Sequence, residues 1–123
     1  MTPAEVRYPL RGEIWWTRFP IDPPDKGRRP VIVVSNDGRN VHPRANSVLV
    51  IPLSTSVHKP GPAHLLLSAG ETGLRADCVA QAENICTVRR AELDQPLQGH
   101  RPLSSRQICR LAGLVRLAMG CVE

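Results

Sequence analysis

The chain is expected to fold as a mainly β domain, a small antiparallel barrel with one α-helix packed against it at the C-terminal end. Three observations carry this expectation. Short β-prone runs recur from Gly12 to Thr87, turns rich in proline, glycine and asparagine separate them at near-regular intervals, and only the last stretch, from Ser104 onward, switches to apolar steps of three and four residues.

Taken in order, Ile14, Trp15, Trp16 and Thr17 are the β-prone centre of a first strand over Gly12 to Phe19, which stops at Pro20, where a ladder donor is missing. Residues 20–30 are loop by composition, with three prolines before Gly27 and the pair Arg28-Arg29 at the end. Val31 to Ser35 opens on four consecutive β-branched residues without polar alternation, the pattern of a central strand buried on both faces, and Asn36-Asp37-Gly38 supplies its turn. Ser47 to Leu53 repeats the pattern and is followed at once by Ser54-Thr55-Ser56. Pro60-Gly61-Pro62 closes that loop, His64 to Leu67 is a fourth short strand, and Gly70 to Gly73 a turn. Cys78 to Thr87 reads as a longer strand region, with Val79, Gln81, Glu83 and Ile85 on one face and Ala80, Ala82 and Asn84 on the other. Ser104 and Gln107 then form a capping box ahead of Ile108, Leu111, Leu114, Val115, Ala118 and Met119, which predicts an amphipathic helix from about Ser104 to Met119. Its outer face carries Arg106, Arg110 and Arg116, and Gly113 inside it costs ~1 kcal/mol relative to alanine.

With 123 residues, one domain spanning 1–123 with a short N-terminal extension, 1–11, is the expectation. Glycine and proline together make 21 residues, below the share that marks low-complexity disorder, and 41% apolar residues can supply a core. No apolar run reaches the ~18 residues of a membrane span and no signal peptide is visible, so a cytoplasmic protein without membrane attachment is expected. Sixteen basic against 11 acidic residues leave a formal charge of +5, and 14 of the 16 are arginine, whose planar fork suits phosphate. Cys78, Cys86, Cys109 and Cys121 form no C-x-x-C pair and His42, His58, His64 and His100 no paired motif, so free, mostly buried thiols and neither metal nor cofactor are expected.

No nucleophile elbow, phosphate-binding glycine loop or dinucleotide fingerprint is present. What remains is a coincidence of position. Arg28-Arg29 stands at the start of the second strand and Ser54-Thr55-Ser56 at the end of the third, and antiparallel neighbours bring such ends to one rim. That rim would gather guanidinium and hydroxyl groups, with Lys26, His58 and Lys59 on the flanking loops, an assembly suited to a phosphodiester and its pentacoordinate transition state.

Five ordered blocks carry a resemblance: Gly12-Glu13-Ile14-Trp15-Trp16, Gly27 to Asp37, Val50 to Thr55, Gly73 to Ala80 and Glu83 to Val88. Together they resemble the MazF/PemK-type toxins of toxin–antitoxin modules, from about Gly12 to Leu117. The resemblance implies an SH3-like barrel with a C-terminal helix, a homodimer, and a metal-independent, sequence-specific endoribonuclease restrained by a cognate antitoxin, expected to be acidic and partly disordered. It implies that Arg29, directly before the proline of the second strand, is the catalytic arginine. The family's catalytic threonine falls at Ser54, with Thr55 next in line; either hydroxyl fits the role. Asn84 stands where the family commonly has glutamine and Cys86 where arginine often follows, and the first loop is short and proline-rich, with Asp25 nearby.

The chemistry that fits is attack of a ribose 2′-OH on the adjacent phosphate of single-stranded RNA, leaving a 2′,3′-cyclic phosphate and a 5′-OH. Asp25, His58 or the phosphate itself are the candidates for taking the 2′-OH proton. RNA contacts are expected from Asp25, Lys26, Arg28, Asn36, His58, Lys59, Gln81 and Asn84. Trp15 and Trp16 point to opposite faces, one into the core and the other toward a dimer interface. Two other readings stand beside this one: a gyrase-poisoning CcdB-like toxin, and an RNA-binding relative without activity.

Overall fold

The structure is a computed structural model, and it describes residues 8–19, 22–23, 25, 27–99 and 101–121. Lys26 and His100 lie outside the described residues. Among those described are β1 (Ile14–Thr17), β2 (Arg29–Val33), α1 (Asp37–Asn40), β3 (Ser47–Ser54), β4 (His64–Leu67), α2 (Ala69–Thr72), β5 (Cys78–Gln81), β6 (Cys86–Arg89), β7 (Leu93–Pro96) and α3 (Ser105–Ala118). The strands pair antiparallel in the order β4-β5-β3-β2-β1-β7, with β6 also on β3.

Val31, Ile32 and Val33 each have zero solvent exposure, as expected of a central strand. Alternation sends them to two cores. Val31 and Val33 join Trp15, Val48, Val50, Val88 and Leu93. Because Val88 and Leu93 come from β6 and β7, at the two ends of the order β7-β1-β2-β3-β6, this part of the sheet curls on itself into a small barrel. Ile32 joins Ile14, Ile51, Leu53, Leu65, Leu67 and Ala80 on the other face, where Ile108 and Leu111 of α3 cover them.

The helix is capped as the sequence predicts, Ser104 Oγ accepting from Gln107 N and the Gln107 side chain returning to Ser104 N. Its apolar stripe is shorter than the periodicity predicts: Ile108 and Leu111 are buried, Leu114 and Val115 half-buried, and Ala118 and Met119 exposed. Arg106, Arg110 and Arg116 are exposed.

Four features differ from the sequence reading. The region Cys78 to Thr87 is not one strand. β5 and β6 both pair with β3, their registers differ by three residues, and a three-residue 3₁₀ turn at Ala82–Asn84 takes up the difference. β7 is an unanticipated strand, for Leu93-Asp94-Gln95-Pro96 has one apolar side chain to bury and Pro96 suits only an edge, where β1 receives it across a bulge. The turns at Asn36–Gly38 and Gly70–Gly73 are short helices, N-capped by Asn36 and Ser68. Of the four free thiols only Cys78 is buried; Cys86 is half-buried and Cys109 and Cys121 are exposed.

Polar groups inside the fold are tied to backbone. Glu13, largely buried, accepts from Leu10 N at 2.7 Å and Trp15 Nε1 at 3.2 Å. Ser35 donates to Asn40 Oδ1 and accepts from Leu49 N, and Asn40 Nδ2 donates back to Ser35 O at 2.9 Å. Gly12 sits where two segments meet: its N–H donates to Val33 O at 2.7 Å and its carbonyl accepts from Leu103 N at 2.9 Å. Its φ is +91°, and a β-carbon there would lie 2.5 Å from Leu103 O.

Gly12→Ala is therefore expected to lower stability by about 2–3 kcal/mol, read as a lower urea midpoint. Gly113→Ala, in α3 with open space around a new β-carbon, should raise the midpoint by the equivalent of ~1 kcal/mol. Burial first, then the charges of Asp77 and Glu71, push the Cys78 thiol from 9.0 up to about 11 against a hydrogen bond from Thr72. A thiol that stays protonated in the folded state while it ionises in the unfolded chain withdraws stability as pH rises from 9.0 to about 11. Urea titrations across that range should show a loss of roughly 2 kcal/mol that is absent in Cys78→Ala.

Candidate active site

The β2–β3 register pairs Val31 with Pro52, Ile32 with Ile51 and Val33 with Val50. Continued to the strand ends it sets Arg29, the first residue of β2, opposite Ser54, the last of β3. Arg29, Ser54, Thr55 and Ser56 accordingly line one cleft of about 900 Å³. Its remaining wall comes from Trp16, Pro30, Leu53 and Leu97 and from the segment Gly73, Leu74, Arg75, Ala76 and Cys78. Trp16 is thus a cleft residue, half-buried, while Trp15 is the core tryptophan.

The Arg29 guanidinium is held from two directions. Its Nη1 donates to Asp22 Oδ2 at 3.4 Å and its carbon lies 5.3 Å over the Phe19 ring. Both side chains of the pair are mostly shielded, 26% exposed for Arg29 and 12% for Asp22. Ser54 Oγ accepts from Ser56 N at 3.1 Å, which turns the chain and leaves the hydroxyl hydrogen to donate into the cleft. Ser54 is half-buried and Thr55 exposed. Cys86 stands near enough to feel Arg29, but burial outweighs that charge and raises its pKa, so the thiol stays protonated at neutral pH.

The other sequence-predicted residues that the structure describes do not line this cleft. Arg28 is exposed and paired with Asp94 at 2.8 Å, a surface contact worth at most about 1 kcal/mol. Asp25 is exposed on the first loop, and His58 and Lys59 are exposed on the segment between β3 and β4 without lining the cleft. Asn36 follows the opposite end of β2, where its side chain caps α1 by accepting from Arg39 N at 2.8 Å. Gln81 precedes the 3₁₀ turn and Asn84 is its last residue, with Asn84 Nδ2 3.5 Å from Gln81 Oε1. Beside them His64 Nδ1 accepts from Gly61 N at 2.7 Å, which fixes the proton on Nε2, the atom facing Glu83 Oε1 at 2.5 Å.

Sequence reasoning missed Asp22, Phe19 and Arg75. The first two sit in or beside a loop whose only legible signal is proline content, and Arg75 sits in a turn. The arrangement brings one oriented guanidinium, a row of hydroxyls and a second guanidinium to a cleft with apolar walls. That set can bind an anionic ester and stabilise added negative charge on it. Among the described residues no group of His, Cys, Asp and Glu is placed to hold a metal ion, and no helix is long and apolar enough to cross a membrane.

Known proteins resemble this chain in sequence and in fold. The family model of the PemK-like, MazF-like toxins of type II toxin–antitoxin systems matches residues 10–118. The endoribonuclease MazF9 of Mycobacterium tuberculosis is 37% identical over 94 residues, 71% of this chain and 78% of the relative. The probable endoribonuclease MazF2 of the same organism is 30% identical over 111 residues, 90% of this chain and 98% of the relative. Among solved structures, MazF from Deinococcus radiodurans superposes with a TM-score of 0.72 at 19% identity, covering 94% of this chain and 99% of that one. A mycobacterial endoribonuclease in complex with its cognate antitoxin gives 0.70 at 23% identity over 91% and 95%. On the extent of the family match and these identities, the chain belongs to the PemK-like, MazF-like toxin family of type II toxin–antitoxin systems.

Proposed function

We propose that the chain is the endoribonuclease toxin of such a system and cleaves single-stranded RNA without a metal or cofactor. The observation that carries this reading is the β2–β3 register, which sets Arg29 against Ser54 in one cleft. The 2′-oxygen attacks the neighbouring phosphorus, its proton passing to a base or to a phosphate oxygen. The P–O5′ bond breaks as the 2′-O–P bond forms, a proton reaches the departing 5′-oxygen, and the products are a 2′,3′-cyclic phosphate and a 5′-OH. Arg29 donates to the phosphate oxygens as their charge grows, and the hydroxyl of Ser54 or Thr55 supplies a further donor. The substrate itself furnishes the nucleophile, so DNA is at most bound and never cut.

A homodimer, with RNA lying across the rim, fits a chain of this size. An acidic, partly disordered antitoxin covering the same basic rim fits the charge balance, and a structural neighbour is described in complex with its cognate antitoxin. The gyrase-poisoning alternative is not favoured, since the curated relatives are named endoribonucleases.

Purified protein incubated with a mixed-sequence transcript in EDTA should yield fragments with 5′-OH and cyclic phosphate ends. Arg29→Ala should cut at least about 100-fold more slowly, the usual cost of one transition-state donor. Ser54→Ala and Thr55→Ala, compared side by side, identify the working hydroxyl as the one whose loss costs more. Equal cleavage by wild type and Arg29→Ala would refute the assignment, and binding with no cleavage by the wild type would favour the inactive relative.

A further inference from the structure

Of the basic residues expected at the rim, none that is described sits in the cleft with Arg29. Arg28 is committed to Asp94, and His58 and Lys59 lie outside the lining. Arg18 and Arg89 line a different pocket, of about 440 Å³, with Asn46, Thr87 and Glu92. The second cation of the cleft is Arg75.

Arg75 differs from Arg29, Arg39 and Arg90 in being uncommitted. Arg29 is engaged by Asp22 and Phe19, Arg39 by Ser47 and Arg90 by Asn40 O and the Tyr8 ring, whereas Arg75 is exposed and makes no hydrogen bond, ion pair or ring contact among the described residues. The backbone beneath it is fixed at both ends. Gly73 closes α2 in the left-handed conformation, φ 82°, with its N–H on Ala69 O. Leu74 N donates to Thr72 Oγ1 at 3.1 Å while the Leu74 side chain packs against the core. On the far side Asp77 Oδ1 accepts from Ala69 N at 2.9 Å, and Cys78 enters β5. A free guanidinium on an anchored loop, facing the same cleft as an oriented arginine and three hydroxyls, is built to receive an anion without rearranging the backbone.

We propose that Arg75 is a substrate-positioning residue that holds a backbone phosphate of the RNA adjacent to the scissile one. The proposal rests on the ribonuclease reading and adds a specific contact to it. Because that phosphate carries the same charge before and during the reaction, the contact strengthens ground and transition states alike, acting on KM and leaving kcat.

The test compares wild type, Arg75→Ala and Arg75→Lys on a mixed-sequence transcript in EDTA, with anisotropy on a labelled single-stranded DNA of mixed sequence as an uncleavable probe. Arg75→Ala should raise KM and the DNA dissociation constant roughly tenfold with kcat held, and make the slope of log affinity against log salt shallower by about 0.7, one phosphate's share for a single strand. Arg75→Lys should restore the salt slope, which a purely structural role would not do. Unchanged KM and salt slope in Arg75→Ala, or a fall in kcat at constant KM, would overturn the proposal. Failure of the ribonuclease reading has a different mark: wild type and Arg29→Ala then cleave alike or not at all. The DNA arm still reads the Arg75 contact in that case.

Discussion

The pairing of β2 with β3 is the constraint on which the molecule rests. Val31, Ile32 and Val33 run between two cores, so each face of β2 is buried against different partners. A slip of one residue would exchange the two faces, sending Ile32 toward the barrel interior and Val31 and Val33 toward α3. The shapes of the two cores forbid that, and the register is held. Holding it also sets Arg29 against Ser54, so the packing that stabilises the fold and the alignment that builds the cleft are one interaction.

Polar ties support that strand at its far end. Gly12 N reaches Val33 O, Val33 N returns to Glu13 O, and the buried Ser35–Asn40 pair anchors the chain as it leaves β2. Arg90 joins this anchor through Asn40 O at 2.8 Å, and Arg39 does the same for Ser47 O at 2.7 Å. Arg39 and Arg90 are thus structural. The formal +5 describes the surface as a whole, while the cleft depends on two guanidinium groups and how each is held.

The legible parts of the sequence are those whose signal is local and repeated. The apolar run of β2, the capping box of α3 and the strand-end logic that joins Arg29 to Ser54 all read directly, because burial on both faces, 3.6-residue periodicity and antiparallel pairing each leave a pattern in the chain. β7 left none: Leu93 is its single buried anchor and the ladder on β1 does the rest, an instance of tertiary context overriding propensity. The break between β5 and β6 is hard to read because the apolar residues from Gln81 to Ile85 are only Ala82 and Ile85, three apart, and one turn of 3₁₀ spacing is too short to stand out from a strand. Asn36 looked like a base reader because it is a polar turn residue, but it is an N-cap at the wrong end of β2. Asp25 and Asp22 are indistinguishable in a proline-rich loop, and only the fold shows that Asp22 meets Arg29.

The Arg29 environment explains how one guanidinium can be both held and available. A charge-assisted hydrogen bond to a carboxylate usually spans about 2.7–2.9 Å, and Asp22 is at 3.4 Å, so the carboxylate orients the group without saturating it. Phe19 supports the guanidinium on one face, a contact worth about 1 kcal/mol, and four of its five N–H donors have no partner among the described residues. A phosphodiester in the cleft would share the cation with Asp22. As the phosphorane forms and takes on a second negative charge, the balance shifts from the carboxylate to the phosphate, and the interaction strengthens along the reaction coordinate. An arginine buried in a tight pair would resist that shift, and one loose in solvent would have to be ordered first; Asp22 and Phe19 place Arg29 between these limits.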